Sequence, residues 1–208
     1  MATPRPDLGF VHRFVPASGP ARPPLLLLHG TGGDENDLLS LGAQIASGAP
    51  LLSPRGKVLE SGMPRFFRRL AEGVFDLEDL KTRTSELAEF VTHARDVYGL
   101  QKPIAVGFSN GANIAASLLL TYPETLAGAV LMRAMTPFEP PKLPDLSGIP
   151  ILMLSGTADP IVPAQSRERL AQLLSEAGAD VTQKIVPAGH GLSPQDLATA
   201  ARWLAERV

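Results

Sequence analysis

The sequence predicts an α/β fold in which a mostly parallel central sheet carries helices on both faces. Two observations lead to this prediction. Segments typical of strands alternate with segments typical of helices along the chain. Most strand segments, such as residues 25–28 and 149–154, are continuously apolar, as expected for parallel strands buried on both faces. Because 208 residues suit one large core better than two, we expect a single domain over residues 1–208.

The first third of the chain predicts three strands and a helix before the pattern is lost. Residues 10–15 alternate weakly and favour an edge strand, whereas residues 25–28 form an apolar run typical of a buried strand. Acidic side chains crowd the start of residues 34–46 and apolar ones fall on one face, which indicates a helix. A short strand is expected over residues 49–53. Residues 54–76 have no clean period, so we expect a long irregular segment there.

The rest of the chain continues the alternation. The clearest helix is expected over residues 84–98, with Gly99 following it as a C-terminal cap. Residues 112–121 are apolar nearly all round, which indicates a buried helix. Further strands are expected over residues 104–106, 126–132, 149–154 and 181–186, the last at a sheet edge, and helices over residues 167–177 and after Ser193. Ligands bind such sheets beyond the carboxyl ends of the strands, so functional residues are expected directly after strands.

The composition excludes several classes of function. Hydrophobic residues are 44% and charged residues 19% of the chain, which is ordinary for a globular domain. A net charge of −2 offers no electrostatic case for nucleic acid or an anionic membrane. The absence of cysteine excludes disulfides, thiolate nucleophiles and cysteine metal sites. With no signal-peptide pattern in residues 1–24 and no apolar stretch near ~20 residues, we expect a cytoplasmic protein without a membrane partner.

A five-residue stretch, Gly107-Phe108-Ser109-Asn110-Gly111, lies between an apolar strand segment and the buried helix. This strand, turn and helix context is typical of a nucleophile elbow, which lifts a serine hydroxyl out of the packed interior. Glycine fits on either side of the serine because a Cβ would clash in so sharp a turn. The alternative interpretation is a glycine-rich connection that carries no chemistry.

A serine hydroxyl needs a base to remove its proton, and four histidines could supply one. His190 lies between two glycines in a loop after a strand, where it is free to reach Ser109. His93 is expected to be solvated on its helix, and His29 to pack beneath a turn. His12 lies in the weakly patterned first strand. We therefore predict His190 as the base, with an ordinary loop histidine as the alternative.

The base needs an acid to orient it, and Asp159 is the best candidate. Pro160 biases Asp159 away from helix and holds it at a strand exit. Asp180 precedes the last strand and so lies at the opposite edge, while Asp145 and Asp196 are interpreted as loop and helix-cap residues. The resulting chain order is serine, acid, histidine, which differs from both classes of serine protease.

An ester-cleaving site also needs two donors aimed at the oxyanion. Asn110, directly after the serine, offers its backbone N–H. The second donor should come from the glycine-rich turn after the strand at residues 25–28, where Thr31 is the natural candidate. This turn could equally be a tight connection, and the two interpretations do not conflict.

Four motifs together resemble the phospholipase/carboxylesterase family of α/β-hydrolases, which includes acyl-protein thioesterases and small bacterial carboxylesterases. They are Leu28-His29-Gly30-Thr31-Gly32-Gly33-Asp34, Gly107-Phe108-Ser109-Asn110-Gly111, Gly156-Thr157-Ala158-Asp159-Pro160-Ile161-Val162-Pro163 and Gly189-His190-Gly191. The layout is also similar to dienelactone hydrolases, but those use a cysteine nucleophile. The thioesterases differ in the turn at Thr31 and carry glutamine in place of Asn110, so the chain looks closer to the bacterial carboxylesterases.

The resemblance implies an α/β-hydrolase fold and a serine hydrolase that cleaves small carboxylic esters through an acyl-enzyme. Ser109, Asp159 and His190 would be catalytic, and no metal or organic cofactor would be required. A thioesterase or lysophospholipase is the alternative within the class, and a non-catalytic binding or sensor protein is the alternative outside it. The expected partner is a small-molecule ester, and a homodimer is one assembly that the sequence leaves open.

The irregular segment at residues 54–76 leaves a strand at the expected active edge and could form the substrate pocket. Phe66 and Phe67 would wall an acyl or aromatic pocket, and Arg65, Arg55 or Arg68 would meet a carboxylate. The alternative is that the phenylalanines fix a surface loop to the core while the arginines are solvated. Met135, after the strand at residues 126–132, is a second candidate wall.

Overall fold

A seven-stranded sheet forms the centre of the protein in a computed structural model that describes residues 8–207. The strands are β1 (His12–Val15), β2 (Leu25–Leu28), β3 (Leu51–Pro54), β4 (Val58–Glu60), β5 (Met63–Arg65), β6 (Arg69–Ala71), β7 (Val74–Phe75), β8 (Ile104–Phe108), β9 (Gly128–Met132), β10 (Pro150–Gly156) and β11 (Asp180–Val186). The central sheet has the order β1-β3-β2-β8-β9-β10-β11. Its first strand is antiparallel to β3, and all other neighbours are parallel.

Helices cover both faces of this sheet. They are α1 (Leu39–Ile45), α2 (Leu77–Tyr98), α3 (Asn110–Thr121), α4 (Ala164–Glu176) and α5 (Pro194–Arg207). One buried cluster joins α2, α3 and α4 to the sheet, and the other joins α1 and α5. Successive leucines of β2 alternate between the two clusters, as the pleat of a strand requires. This architecture confirms the predicted α/β class. No helix within residues 8–207 is long and apolar enough to cross a membrane.

Two helix starts differ from the sequence-based expectation. The helix expected from residue 34 begins only at Leu39, because the Asp34 side chain accepts the N–H of Asn36 and stabilises a turn instead. The helix expected from residue 84 begins at Leu77, because the Asp76 side chain caps it by accepting the N–H of Asp79.

The expectation of an irregular segment over residues 54–76 is wrong, because this segment forms two short hairpins. The turn between β4 and β5 has positive φ at both Ser61 and Gly62, as a type I′ turn requires. Gly73 has positive φ in the turn between β6 and β7. The strands are only two or three residues long, too short to produce a readable alternation.

Phe66 and Phe67, between the hairpins, are 2% and 0% exposed and belong to the core. The Phe66 ring lies 4.7 Å from that of His29, and the Phe67 ring meets Phe75 edge-on at 5.0 Å. The two phenylalanines therefore fix the hairpins onto the sheet.

We expect Phe67→Ala to lower the free energy of unfolding by about 3–5 kcal/mol, because it leaves a cavity in the core. Leu70→Ala is the matched control: this side chain is 69% exposed, and its loss should change stability by less than about 0.5 kcal/mol. Urea unfolding of both variants measures the difference. Equal losses would contradict the assignment of Phe67 to the core.

Candidate active site

Ser109 lies between β8 and α3 with a backbone that few residues adopt, at φ 52° and ψ −114°. The two flanking glycines make this turn feasible. A Cβ on Gly111 would overlap the carbonyl oxygen of Leu28, and a Cβ on Gly107 would overlap the backbone of the first turn of α3. The expected strand, sharp turn and helix are all present, and they raise the serine side chain above the end of the sheet.

The structure brings Ser109, His190 and Asp159 into one hydrogen-bonded chain. His190 Nε2 lies 2.9 Å from Ser109 Oγ. On the other side of the ring, Nδ1 lies 2.9 Å from Asp159 Oδ2 and 3.1 Å from Oδ1. The three residues follow β8, β10 and β11, so their assembly depends on the parallel order of those strands.

The Asp159 side chain is 3% exposed, and its surroundings keep it ionised. Burial alone would raise its pKa, but the backbone N–H groups of Ile161 and Val162 and the ring of His190 outweigh it, so the pKa is lowered. The ionised Asp159 carboxylate accepts a hydrogen bond from the Nδ1–H of His190 and so keeps that proton on Nδ1. Nε2 is then free to accept the hydroxyl proton of Ser109.

Two backbone N–H groups beside Ser109 have no acceptor within residues 8–207. One belongs to Asn110, the first residue of α3, whose N–H lies at the positive end of the helix. The other belongs to Thr31, in the turn that follows β2. This turn is closed by a hydrogen bond from Gly33 to Gly30 and tied to β5 by one from Gly32 to Pro64.

A cavity of about 290 Å³ opens above the serine. Its apolar lining consists of Phe75, Phe108, Met135, Ile161 and Val162. Its polar lining consists of Thr31, Arg65, Arg69, Ser109, Asn110, Asn113, Arg133 and His190. Glu72 and Gly73, in the turn between β6 and β7, complete it. No group of three or more metal-binding side chains within residues 8–207 is arranged to hold a metal ion.

Two of the four predicted substrate contacts line this cavity and two do not. Arg65 and Met135 line it, and their contact with a substrate stays a prediction. The prediction for Phe66 and Phe67 is wrong, because both side chains are used in the core and Phe75 provides the aromatic wall instead.

Sequence and structural comparisons identify the family of this chain. The pattern of the phospholipase/carboxylesterase family matches residues 12–207. The chain belongs to this family. It is 47% identical over 186 residues to MhqD of Bacillus subtilis (strain 168), which is named as a hydrolase; the match covers 88% of this chain and 93% of that protein.

Two solved carboxylesterases have closely similar structures. The Bacillus cereus carboxylesterase superposes with a TM-score of 0.94 at 46% identity, covering 97% of this chain and 96% of that one. A carboxylesterase from Mesorhizobium loti gives a TM-score of 0.89 at 34% identity, covering 96% of each chain. The resemblance stated from the motifs and the α/β-hydrolase fold are thus confirmed.

In this family member, Arg133 holds the loop that carries His190, a contact that the sequence analysis missed. Its Nε donates to the carbonyl of Gly189 and its Nη2 to that of Gly191, both at 3.0 Å. The same guanidinium forms a bidentate pair with Asp196 at 2.8 Å for both bonds, and neither side chain is exposed. The sequence feature that could have indicated this contact is an arginine directly after a fully apolar strand segment.

Asp196 therefore has two tasks. It accepts the backbone N–H of Ser193 as the predicted helix-cap residue, and it also neutralises Arg133. Burial alone would raise its pKa, but the bonds from Arg133 and Ser193 outweigh that effect and lower it.

His29 is buried beneath the Thr31 turn, as expected. Its Nε2 accepts the N–H of Gly56 at 3.0 Å, so the proton is on Nδ1, which donates to the carbonyl of Gly30 at 2.6 Å. Burial lowers its pKa, which keeps the ring neutral. His93 is exposed, also as expected. These histidines do not reach Ser109.

We expect Asp196→Asn to lower the free energy of unfolding by about 3–5 kcal/mol at pH 7, because Arg133 would be buried without a counter-charge. The folded-state pKa of Asp196 is depressed, so the ion pair stabilises fully above the unfolded value of about 3.9 and is lost as the pH falls through the folded value. The gap between wild type and variant should therefore shrink below about pH 4.

Urea unfolding between pH 3 and 8 measures this gap. Asp180→Asn is the control, because its pair with Arg207 is exposed and should contribute less than about 1 kcal/mol. A gap that stays constant across the range would contradict the role assigned to the Asp196 carboxylate.

Proposed function

We propose that this protein is a carboxylesterase in which Ser109 attacks the ester carbonyl and forms an acyl-enzyme. The observation that carries the proposal is the hydrogen bond of 2.9 Å between His190 Nε2 and Ser109 Oγ, at the floor of a cavity. The names of its solved relatives, the carboxylesterases of Bacillus cereus and Mesorhizobium loti, support the same reaction.

In the first half of the reaction, His190 Nε2 takes the hydroxyl proton while Ser109 Oγ bonds to the carbonyl carbon. The carbonyl oxygen becomes an oxyanion and accepts hydrogen bonds from the N–H groups of Thr31 and Asn110, which donate to no acceptor in the described part of the chain. Asp159 stabilises the imidazolium that results. His190 then returns the proton to the departing alcohol as the carbon–oxygen bond breaks.

In the second half, water attacks the acyl-enzyme. His190 removes a proton from the water, the same two N–H groups stabilise the second oxyanion, and the proton passes back to Ser109 Oγ as the acid is released. Each step moves a proton only between His190 and an oxygen that it can reach.

The cavity favours a small ester among the possible acyl substrates. Its volume of about 290 Å³ lies at the lower end of the ~300–1,000 Å³ usual for small-molecule sites. A short acyl group and a small alcohol fit within it more readily than the long chain of a lysophospholipid. A thioester would pass through the same steps, but no contact in the site favours sulfur over oxygen.

We expect Ser109→Ala to lower kcat for 4-nitrophenyl butyrate by at least about 10⁴-fold, because the nucleophile is lost. Ser40→Ala, at an exposed position on α1, is the control and should keep full activity. Far-UV circular dichroism checks that both variants are folded. Turnover retained by a folded Ser109→Ala would show that another residue is the nucleophile, and an inactive wild type would favour a binding or sensor protein.

A further inference from the structure

One wall of the cavity is basic and is built by the hairpins that follow β3. Arg65 ends β5 and Arg69 begins β6, and both side chains line the cavity with Ser109. The Arg65 side chain is only 4% exposed, whereas that of Arg69 is 31% exposed. Because burial of a charged group without polar partners is costly, the binding partners of the Arg65 N–H groups are informative.

Only two of the three guanidinium nitrogens of Arg65 donate hydrogen bonds to protein atoms within residues 8–207. Its Nε donates to the carbonyl of Phe67 at 3.2 Å, and its Nη1 donates to Thr31 Oγ1 at 2.7 Å. Its Nη2 donates to no atom within residues 8–207. A guanidinium nitrogen with free N–H groups is suited to bind a carboxylate oxygen, since the hydrogen bond joins groups of opposite charge.

The charge on this wall is also incompletely balanced. Within residues 8–207, Glu60 is the one carboxylate paired with either arginine. It accepts hydrogen bonds from Nε and Nη2 of Arg69 and lies 3.2 Å from Arg65 Nη1. Two cations thus share one anion. Burial lowers the pKa of Arg65, attraction to Glu60 raises it, and repulsion from Arg69 lowers it further.

The other charged groups of the lining do not change this balance near Arg65. Arg133 is neutralised by Asp196, with both side chains fully buried. Glu72 lies on an exposed turn at the mouth of the cavity and forms no ion pair within residues 8–207, so water can solvate it. One positive charge remains uncompensated between Arg65, Arg69 and Glu60.

We propose that the physiological substrate is an ester that carries a carboxylate, and that the free Nη2 of Arg65, assisted by Arg69, binds this carboxylate. The inference rests on the proposed esterase function. Arg65 holds the side chain of Thr31, whose N–H is the proposed oxyanion donor, so the carboxylate lies on the oxyanion side of the ester and within a few bonds of its carbonyl. Half-esters of short dicarboxylic acids and esters of short hydroxy acids have this arrangement.

The test uses two matched pairs of esters. Monomethyl glutarate against dimethyl glutarate places the charge on the acyl side, and acetoxyacetate against its methyl ester places it on the alcohol side. We expect kcat/KM of the wild type to favour the charged member of at least one pair by about tenfold to a hundredfold, as a charge-assisted hydrogen bond would provide. The ratio within a pair is the readout, because it cancels general losses of activity.

Three variants test which arginine produces the preference for the charged ester. Arg65→Gln should remove most of the preference, and Arg69→Gln, at the more exposed position, should reduce it severalfold. Arg68→Gln is the matched control, because that side chain is 61% exposed, pairs with Asp76 and does not line the cavity. It should leave the ratio unchanged. If Arg65→Gln does not fold, Arg69→Gln and inhibition of the wild type by glutarate provide the same test.

The outcomes separate this inference from the proposed function. Ser109-dependent hydrolysis with no preference in either pair overturns the carboxylate site and leaves the esterase intact. If no ester is cleaved, calorimetry of glutarate with Ser109→Ala decides: binding that Arg65→Gln abolishes supports the carboxylate site alone. Absence of binding overturns it.

Discussion

The backbone at Ser109 is the constraint on which the rest of the site depends. A residue with a side chain at φ 52° and ψ −114° costs about 1–3 kcal/mol. The strain persists because α3 packs so closely on the end of β2 that a Cβ on Gly111 would overlap the carbonyl oxygens of Leu28 and His29. The strained serine therefore depends on this one packing contact.

The hairpin segment, residues 54–76, stabilises this arrangement through hydrogen bonds to it. The N–H of Phe66 donates to Asn110 Oδ1 at 2.7 Å, and the Gly56 N–H donates to His29. The segment is thus bonded both to the elbow and to the turn after β2. Asn113, one turn further along α3, accepts the N–H of Met135 at 2.9 Å and fixes the opposite wall. The role proposed for Asn110 toward the substrate uses its backbone N–H, whereas its side chain binds the hairpin segment.

The features that could be predicted are those that local sequence patterns determine. Apolar runs indicate the buried strands, glycines mark the elbow, and residues after parallel strands share one edge, so Ser109, Asp159 and His190 could be grouped without a structure. Two features depend on contacts that local patterns do not show. Arg133 and Asp196 are 63 positions apart, and the burial of Phe67 depends on Phe75 across a hairpin too short to show a period. Arg65 could be suspected of meeting a carboxylate, but its unoccupied Nη2 is revealed only by the contacts of the folded chain.

The central claim is that Ser109 is a nucleophile activated by His190, and covalent labelling tests it most directly. Wild type and His190→Asn are treated with a fluorophosphonate probe, digested and mapped by mass spectrometry. We expect one adduct, on the peptide that contains Ser109, formed rapidly in the wild type and at least about a hundredfold more slowly in His190→Asn. An adduct on a different residue, or none in the folded wild type, would contradict the account.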